Sequence, residues 1–228
     1  MTAEPRPTRV LLVDDQQLLT DSLARLLAAE DDIEVVGVAA TVADATRMSR
    51  DRMDVVLMDY RLPDGTGAEA TRAIKARWPS TRVVMLTAVG DDETVLQSIQ
   101  AGADGYLTKD QAVADVVGAV RAARAGETLL PRAVIANIAR RLAAARGRSS
   151  DQPTIDPLTA RELQILRAMA DGRPMPEICE RLSISRNTLR THIGNIMTKL
   201  HAHSKLEAVT VALRNGIIEP PRPEGSLY

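Results

Sequence analysis

Short apolar runs alternate with amphipathic stretches through the first half of the chain. Residues 9–13, 34–39, 55–58, 82–86 and 105–107 are dense in aliphatic side chains and bounded by turn-forming or charged residues, which predicts five strands. Between them, apolar positions recur at helical spacing near 16–29, 43–51, 66–77, 91–101 and 112–125. Strict alternation of strand and helix implies a parallel sheet with helices on both faces. Ligands of such a sheet bind at the carboxyl ends of its strands.

The pattern changes in the second half. Pro131 can open a helix over 131–145, with Val134, Ile135, Ile138 and Leu142 on one face. The following stretch, Arg146 to Pro153, has the composition of a linker, so a domain boundary is expected between 143 and 156. Beyond it everything reads as helix. Thr159-Ala-Arg-Glu162 is a capping box, in which hydroxyl and carboxylate satisfy each other's orphan amides, and it opens a helix ending at Gly172. A short helix over 177–182 and the tight link Ser183-Ile-Ser185 precede a third helix, with Ser185 as N-cap and Leu189, Ile193, Ile196 and Leu200 as its apolar stripe. A fourth runs from about Ser204 to Asn215 and closes at Gly216.

Composition narrows the possibilities. The chain has 228 residues, enough for two domains, and 45% are hydrophobic. Phe is absent and aromatics make up 2%, so no aromatic row exists to stack single-stranded bases, which argues against most RNA modules. Cys179 is the single cysteine, which excludes an intramolecular disulfide and a Cys-rich zinc site. The first residues lack the apolar core of a signal peptide, and no run has the length of a membrane span, so a cytoplasmic protein without membrane association is expected. The net charge of -1 hides an asymmetry: residues 1–127 carry -7 and residues 128–228 carry +6. A basic second half suggests a polyanion as its partner.

Candidate chemistry collects at the strand ends. Asp14 and Asp15 follow the first apolar run, Asp59 the third and Thr87 the fourth, while Lys109 lies just past the fifth. A parallel sheet brings these ends to one edge, so the charges should share one crevice. Crowded carboxylates must bind a cation or raise their pKa values. With oxygen ligands alone, Mg2+ or a similar hard cation is the expected cofactor. A carboxylate beside a metal, a lysine and a hydroxyl has the parts needed to accept a phosphoryl group.

These residues also carry a resemblance. Leu11-Leu-Val-Asp-Asp15, Leu57-Met-Asp-Tyr-Arg-Leu-Pro-Asp-Gly65, Met85-Leu-Thr-Ala88 and Ala101-Gly-Ala-Asp-Gly-Tyr-Leu-Thr-Lys109 resemble the receiver domain of bacterial response regulators over residues 8–127. The resemblance implies a flavodoxin-like, doubly wound five-stranded parallel sheet, phosphorylated on Asp59 by a sensor histidine kinase. It implies that Asp15, Asp59 and the main-chain carbonyl of Arg61 hold Mg2+, with Asp14 acting mainly through water. Thr87 and Lys109 would bind phosphoryl oxygens, and Tyr106 would reorient as Thr87 is drawn in.

On the third helix of the second half, the face opposite the apolar stripe carries Arg186, Asn187, Arg190, Thr191, Asn195, Thr198 and Lys199, which suits a recognition helix in the DNA major groove. Leu158-Thr-Ala-Arg-Glu162, Leu182-Ser-Ile-Ser185, Thr188-Leu-Arg-Thr-His192, Lys199-Leu200 and Ser204-Lys-Leu-Glu-Ala208 resemble the LuxR-type helix-turn-helix domain. Joined to a receiver, this resembles the NarL/FixJ response-regulator architecture. By resemblance, Arg190 and Thr191 face bases and Thr188 and Lys199 face phosphates, while His192 lies near the surface and could touch a phosphate. Two departures stand out. Gly194 occupies a position where the family often has a long base-contacting side chain, and Pro174 and Pro176 flank Met175 where a hydroxyl cap is usual.

The expected organisation is a receiver over 1–127, a linker helix and flexible linker over 128–155, a four-helix helix-turn-helix domain over 156–218 and a tail over 219–228. The expected function is a transcriptional regulator switched by phosphorylation of Asp59. Its partners would be a sensor histidine kinase, a double-stranded operator with two-fold half-sites and, on activation, a second copy of the chain. The linker helix would transmit the change. Such a protein is not a multiple-turnover enzyme, although slow autodephosphorylation is compatible with it. Two rival readings share parts of this pattern. An orphan regulator would keep the fold but answer to a ligand or partner, and nothing in the intact Asp14, Asp15, Asp59, Thr87 and Lys109 set favours it. A haloacid-dehalogenase-type phosphohydrolase needs a second acid two residues after its nucleophile, where this chain has Arg61.

Overall fold

Val55–Asp59 forms the central strand because it is apolar and buried on both faces: Val55, Val56, Leu57 and Met58 are fully enclosed. The computed structural model describes residues 6–48, 53–87, 92–127 and 156–219, and the chain divides into two units, 1–129 and 130–228. In the first unit the elements run β1 (Thr8–Val13), α1 (Gln17–Ala28), β2 (Ile33–Ala39), α2 (Val42–Met48), β3 (Val55–Asp59), β4 (Arg61–Leu62), β5 (Gly65–Thr66), α3 (Gly67–Arg77), β6 (Arg82–Thr87), α4 (Asp92–Gln100), β7 (Gly105–Thr108) and α5 (Lys109–Ala125). The five long strands form one parallel sheet in the order β2-β1-β3-β6-β7. This is the expected flavodoxin-like order, with the chain reversing direction across the sheet between β1 and β3. The two-residue strands β4 and β5 form a small antiparallel ribbon, which the periodicity did not indicate.

Strand residues alternate between two covered faces. Leu12, Leu57 and Leu86 pack with Leu23 and Leu27 of α1 and Val116 and Val120 of α5, while the alternate residues Leu11, Val56 and Met85 are equally buried. Two acidic residues pin the other edge of the sheet. Asp104 receives Lys75 Nζ at 2.6 Å, Arg82 at 2.8 Å and the Val83 amide at 3.0 Å. Asp54 receives both Arg6 and Arg124 at 2.8 Å. Helix α3 ends at Trp78, over whose ring the Arg77 guanidinium lies 5.8 Å from the centroid.

Several helix starts are fixed by side chains. Thr66 with Glu69, and Thr108 with Gln111, complete capping boxes for α3 and α5. The second box starts α5 at Lys109 rather than at the expected 112. Inside α5 the backbone breaks at Asp115 (φ -152°, ψ 61°), whose carboxylate recaps the continuing helix by accepting from the Gly118 amide at 2.8 Å.

The second unit contains α6 (Ala160–Ala170), α7 (Met175–Leu182), α8 (Arg186–Lys199) and α9 (Lys205–Arg214), the expected four helices. The capping box at Thr159 is present, with Thr159 N donating to Glu162 Oε2 at 2.8 Å. Ser185 and Ser204 cap α8 and α9. Helix α7 begins at Met175, two residues before its expected start, with Pro174 at the N-cap and no side-chain cap bond. Leu206, Val209, Ala212 and Leu213 of α9 are all buried within the chain. Cys179 is half-buried and free. The linker helix over 131–145, the flexible linker and the tail beyond 219 lie outside the described residues.

Asp104 is the test of this framework. Asp104→Ala leaves Lys75 and Arg82 without their anion, and breaking such a buried set costs about 3 to 5 kcal/mol. A lower urea midpoint for the first domain, with the second domain's transition unmoved, is the expected outcome.

Candidate functional site

The carboxyl edge of the sheet assembles the expected crevice. Asp14 directly follows β1, Asp59 ends β3 and Lys109 opens α5 immediately after β7. Ligand oxygens of Asp14, Asp15 and Asp59 all lie within 4.8 Å of one another. Asp14 and Asp59 are buried, whereas Asp15 is exposed. The Lys109 ammonium sits 2.7 Å from Asp14 Oδ2 and 3.2 Å from Asp59 Oδ2. Backbone amides hold the other oxygens: Gln16 N donates to Asp14 Oδ1 at 2.9 Å and Tyr60 N to Asp59 Oδ1 at 2.8 Å.

A glycine makes this packing possible. A Cβ on Gly67 would lie 2.1 Å from the Asp59 carbonyl oxygen and 2.9 Å from Met58 Cγ. Helix α3 can therefore start hard against the Asp59 backbone only with glycine there, and Gly67 N donates to Tyr60 O at 2.8 Å. Asp64 adds a second brace, its carboxylate accepting from the Val42 and Ala43 amides at the start of α2. Those two hydrogen bonds hold the Asp64 carboxyl below the usual carboxylate range.

Electrostatics follow from crowding. Burial, then the charge of Asp14, push the Asp59 carboxyl above its ordinary value, against the opposing pull of Lys109. Burial works against the charge on Lys109, but its close ion pairs with Asp14 and Asp59 outweigh it and raise its pKa. Asp14 Oδ2 has the Lys109 cation near it but, among the described residues, no hydrogen bond of acceptable geometry, which leaves a buried anionic oxygen with unused coordinating capacity. Three clustered carboxylates and an under-satisfied oxygen suit a hard divalent cation, so the residues present fit one. Arg61, whose carbonyl was expected to help, lies in β4 with its side chain exposed.

The remaining expected residues are placed as follows. Thr87 ends β6, paired in register with Thr108, and its side chain lies outside the described residues. Tyr106 is buried and its hydroxyl donates to Thr94 O in α4 at 3.1 Å. Sequence reasoning missed a companion: the Tyr60 hydroxyl donates to Gln97 Oε1 at 2.5 Å, so the residue after Asp59 also reaches α4. Only their spacing in space, not in sequence, signals this.

On α8, Arg186, Asn187, Thr188, Arg190, Thr191 and Asn195 are exposed, as a recognition face requires, and His192 is half-buried. Lys199 differs from expectation. Its ammonium is 2.8 Å from Glu162 Oε2 and 3.2 Å from Pro157 O, so it ties the end of α8 to the start of α6 rather than standing free for a phosphate. Glu162 is buried, and although burial disfavours its charge, Lys199 and the Thr159 amide hold its carboxyl below the usual range.

The sequence model of the response regulator receiver domain matches residues 10–121, and that of the luxR family of bacterial regulatory proteins matches residues 156–212. Transcriptional regulatory protein LiaR of Bacillus subtilis (strain 168) is 36% identical over 211 residues, covering 92% of this chain and 99% of LiaR. The chain belongs to the LuxR-type, or NarL/FixJ, response regulators. This response regulator is also 33% identical over 214 residues to the DNA-binding transcriptional activator DevR/DosR of Mycobacterium tuberculosis, covering 93% of the chain and 97% of DevR/DosR. Among solved structures, a LuxR-family two-component response regulator from Aurantimonas sp. SI85-9A1 is 32% identical with a TM-score of 0.54, covering 59% of this chain and 97% of its own. As a two-component response regulator with a LuxR-type domain, the protein fits a transcription regulator. Among the described residues, no helix is long and apolar enough to cross a membrane.

Asp59→Asn tests the electrostatics of the crevice. A carboxyl whose folded-state pKa is raised costs stability when ionised, a cost present above the folded pKa and absent once pH falls below the unfolded value. The variant should therefore melt higher than the parent near neutral pH. That gain should shrink as pH falls through the acid range, measured by thermal melts in metal-free buffer.

Proposed function

We propose that this response regulator is switched by phosphorylation of Asp59 by a sensor histidine kinase, and that the switch controls dimerisation and DNA binding. The observation that carries the reading is the crevice itself: Asp59 with a raised pKa, a cation at 3.2 Å and two further carboxylates within coordinating reach. In the transfer, an Asp59 oxygen bonds to phosphorus as the phosphorus–nitrogen bond of a phosphohistidine breaks. The bonding pair leaves with the imidazole nitrogen, which takes a proton from solvent. Lys109 is placed to neutralise the phosphoryl oxygens, and Thr87 supplies a hydroxyl to them from the end of β6. Asp14, Asp15, Asp59 and the Arg61 carbonyl would hold Mg2+, which would supply the positive charge that lets two anions meet.

Phosphorylation adds negative charge and acceptor oxygens at the strand ends, which draw on Lys109 and Thr87. Tyr106 then moves with Thr87, and α4 follows through its Thr94 contact. The segment 128–155 carries the change to the second domain. There α8 enters the major groove of a two-fold operator, with Arg190, Thr191 and Asn195 towards bases and Arg186, Asn187, Thr188 and His192 towards bases or phosphates. Lys199 reaches a phosphate only by giving up Glu162, so its main part is to set the angle of α8. The kinase, the phosphate and the operator come from the family's chemistry, supported by the donor set at each site.

Incubation with acetyl phosphate and Mg2+, read by intact mass, should add one phosphoryl group to the parent and none to Asp59→Asn. An adduct of equal yield on the variant overturns the assignment. Arg190→Ala should weaken operator binding by about 1 to 3 kcal/mol and broaden the sequences accepted, with a smaller loss on random duplex.

A further inference from the structure

Helix α8 turns by about 100° per residue, so Asn187, Thr191, Gly194 and Thr198 lie along the line opposite its buried side of Leu189, Ile193 and Ile196. All four are exposed, which makes this line the outermost ridge of the helix. Gly194 has no internal reason to be glycine. It lies within the helix, its φ is not positive, and a Cβ built on it meets nothing within 4 Å among the described residues. A glycine inside a helix is costly compared with alanine, and the protein's own packing gains nothing in return.

The two threonines on the ridge have turned their hydroxyls inward. Thr191 Oγ1 donates to Asn187 O at 3.1 Å, and Thr198 Oγ1 donates to Gly194 O at 3.1 Å. Their protons are committed to the helix backbone, so each side chain offers its methyl group outward. Polar donors sit to the sides of the ridge, on Arg190 and Asn195. The ridge is thus a shallow apolar strip, two methyl groups on either side of a bare backbone, flanked by hydrogen-bonding side chains. On the major-groove edge of DNA the one apolar group is the C5-methyl of thymine.

Building on the DNA-binding reading above, we propose that Gly194 is kept for close approach, and that the Thr191–Gly194–Thr198 strip reads thymine methyl groups by direct packing. Specificity at the centre of each half-site then comes from shape and methyl contact, and specificity at its edges from Arg190 and Asn195. This reverses the meaning of the missing side chain at 194: the gap is the contact surface.

The test uses the full-length phosphorylated chain and a duplex recovered by repeated selection from a random-sequence library. Gly194→Ala should melt no lower than the parent, because its Cβ has room, yet bind the selected duplex roughly tenfold more weakly, as expected for overpacking a close contact. Replacing thymine by uracil at single positions should cost about three- to fivefold at one or two sites per half-site, the worth of one buried methyl. Thr191→Ser, which keeps the hydroxyl and removes the methyl, should lose more affinity than Thr191→Val. Unchanged or tighter binding by Gly194→Ala overturns the proposal, as does indifference to uracil at every position. If the library yields no enriched sequence, the DNA-binding reading falls instead.

Discussion

One ammonium group holds the first domain's functional edge together. Two strand ends deliver three carboxylates to the same place, and without a cation the two buried ones would repel each other at close range. Lys109 lies between Asp14 and Asp59 and makes the arrangement tolerable. Its position is itself dictated by the Thr108–Gln111 capping box, which starts α5 one residue after the strand ends. The compensation is incomplete, as the raised Asp59 pKa and the under-satisfied Asp14 oxygen attest. A site left partly uncompensated is ready to take up further positive charge.

The second domain uses the reverse arrangement. There a buried carboxylate, Glu162, satisfies the amide of Thr159 and receives Lys199 from the far end of the recognition helix. One side chain therefore caps the first helix of the domain and fixes the third against it. The orientation of α8 is set by residues that need not touch DNA.

Much of this was legible from local pattern. The five strands, the order of elements, the Thr159 capping box and the Ser185 cap all follow from periodicity and from residues within one turn of each other. The carboxylate cluster was legible too, because parallel topology sends strand ends to one edge. What escaped notice is non-local. The Tyr60–Gln97 bond joins residues far apart in sequence, and the Lys199–Glu162 pair gave a lysine on the polar face a structural partner that no helical wheel displays. Apolar spacing starts α5 at 112, whereas the Thr108 cap starts it at Lys109.

The scarcity of aromatic residues has an optical consequence. Trp78, the one tryptophan, closes α3 in the first domain, and Tyr60 and Tyr106 stand in the same domain, while residues 156–218 contain no aromatic side chain. Indole emission thus comes from the receiver side alone, and the DNA-binding helices are dark. Any change in indole fluorescence on adding a duplex would have to originate at the dark domain and be displayed by the bright one. The protein carries a native reporter for communication between its halves.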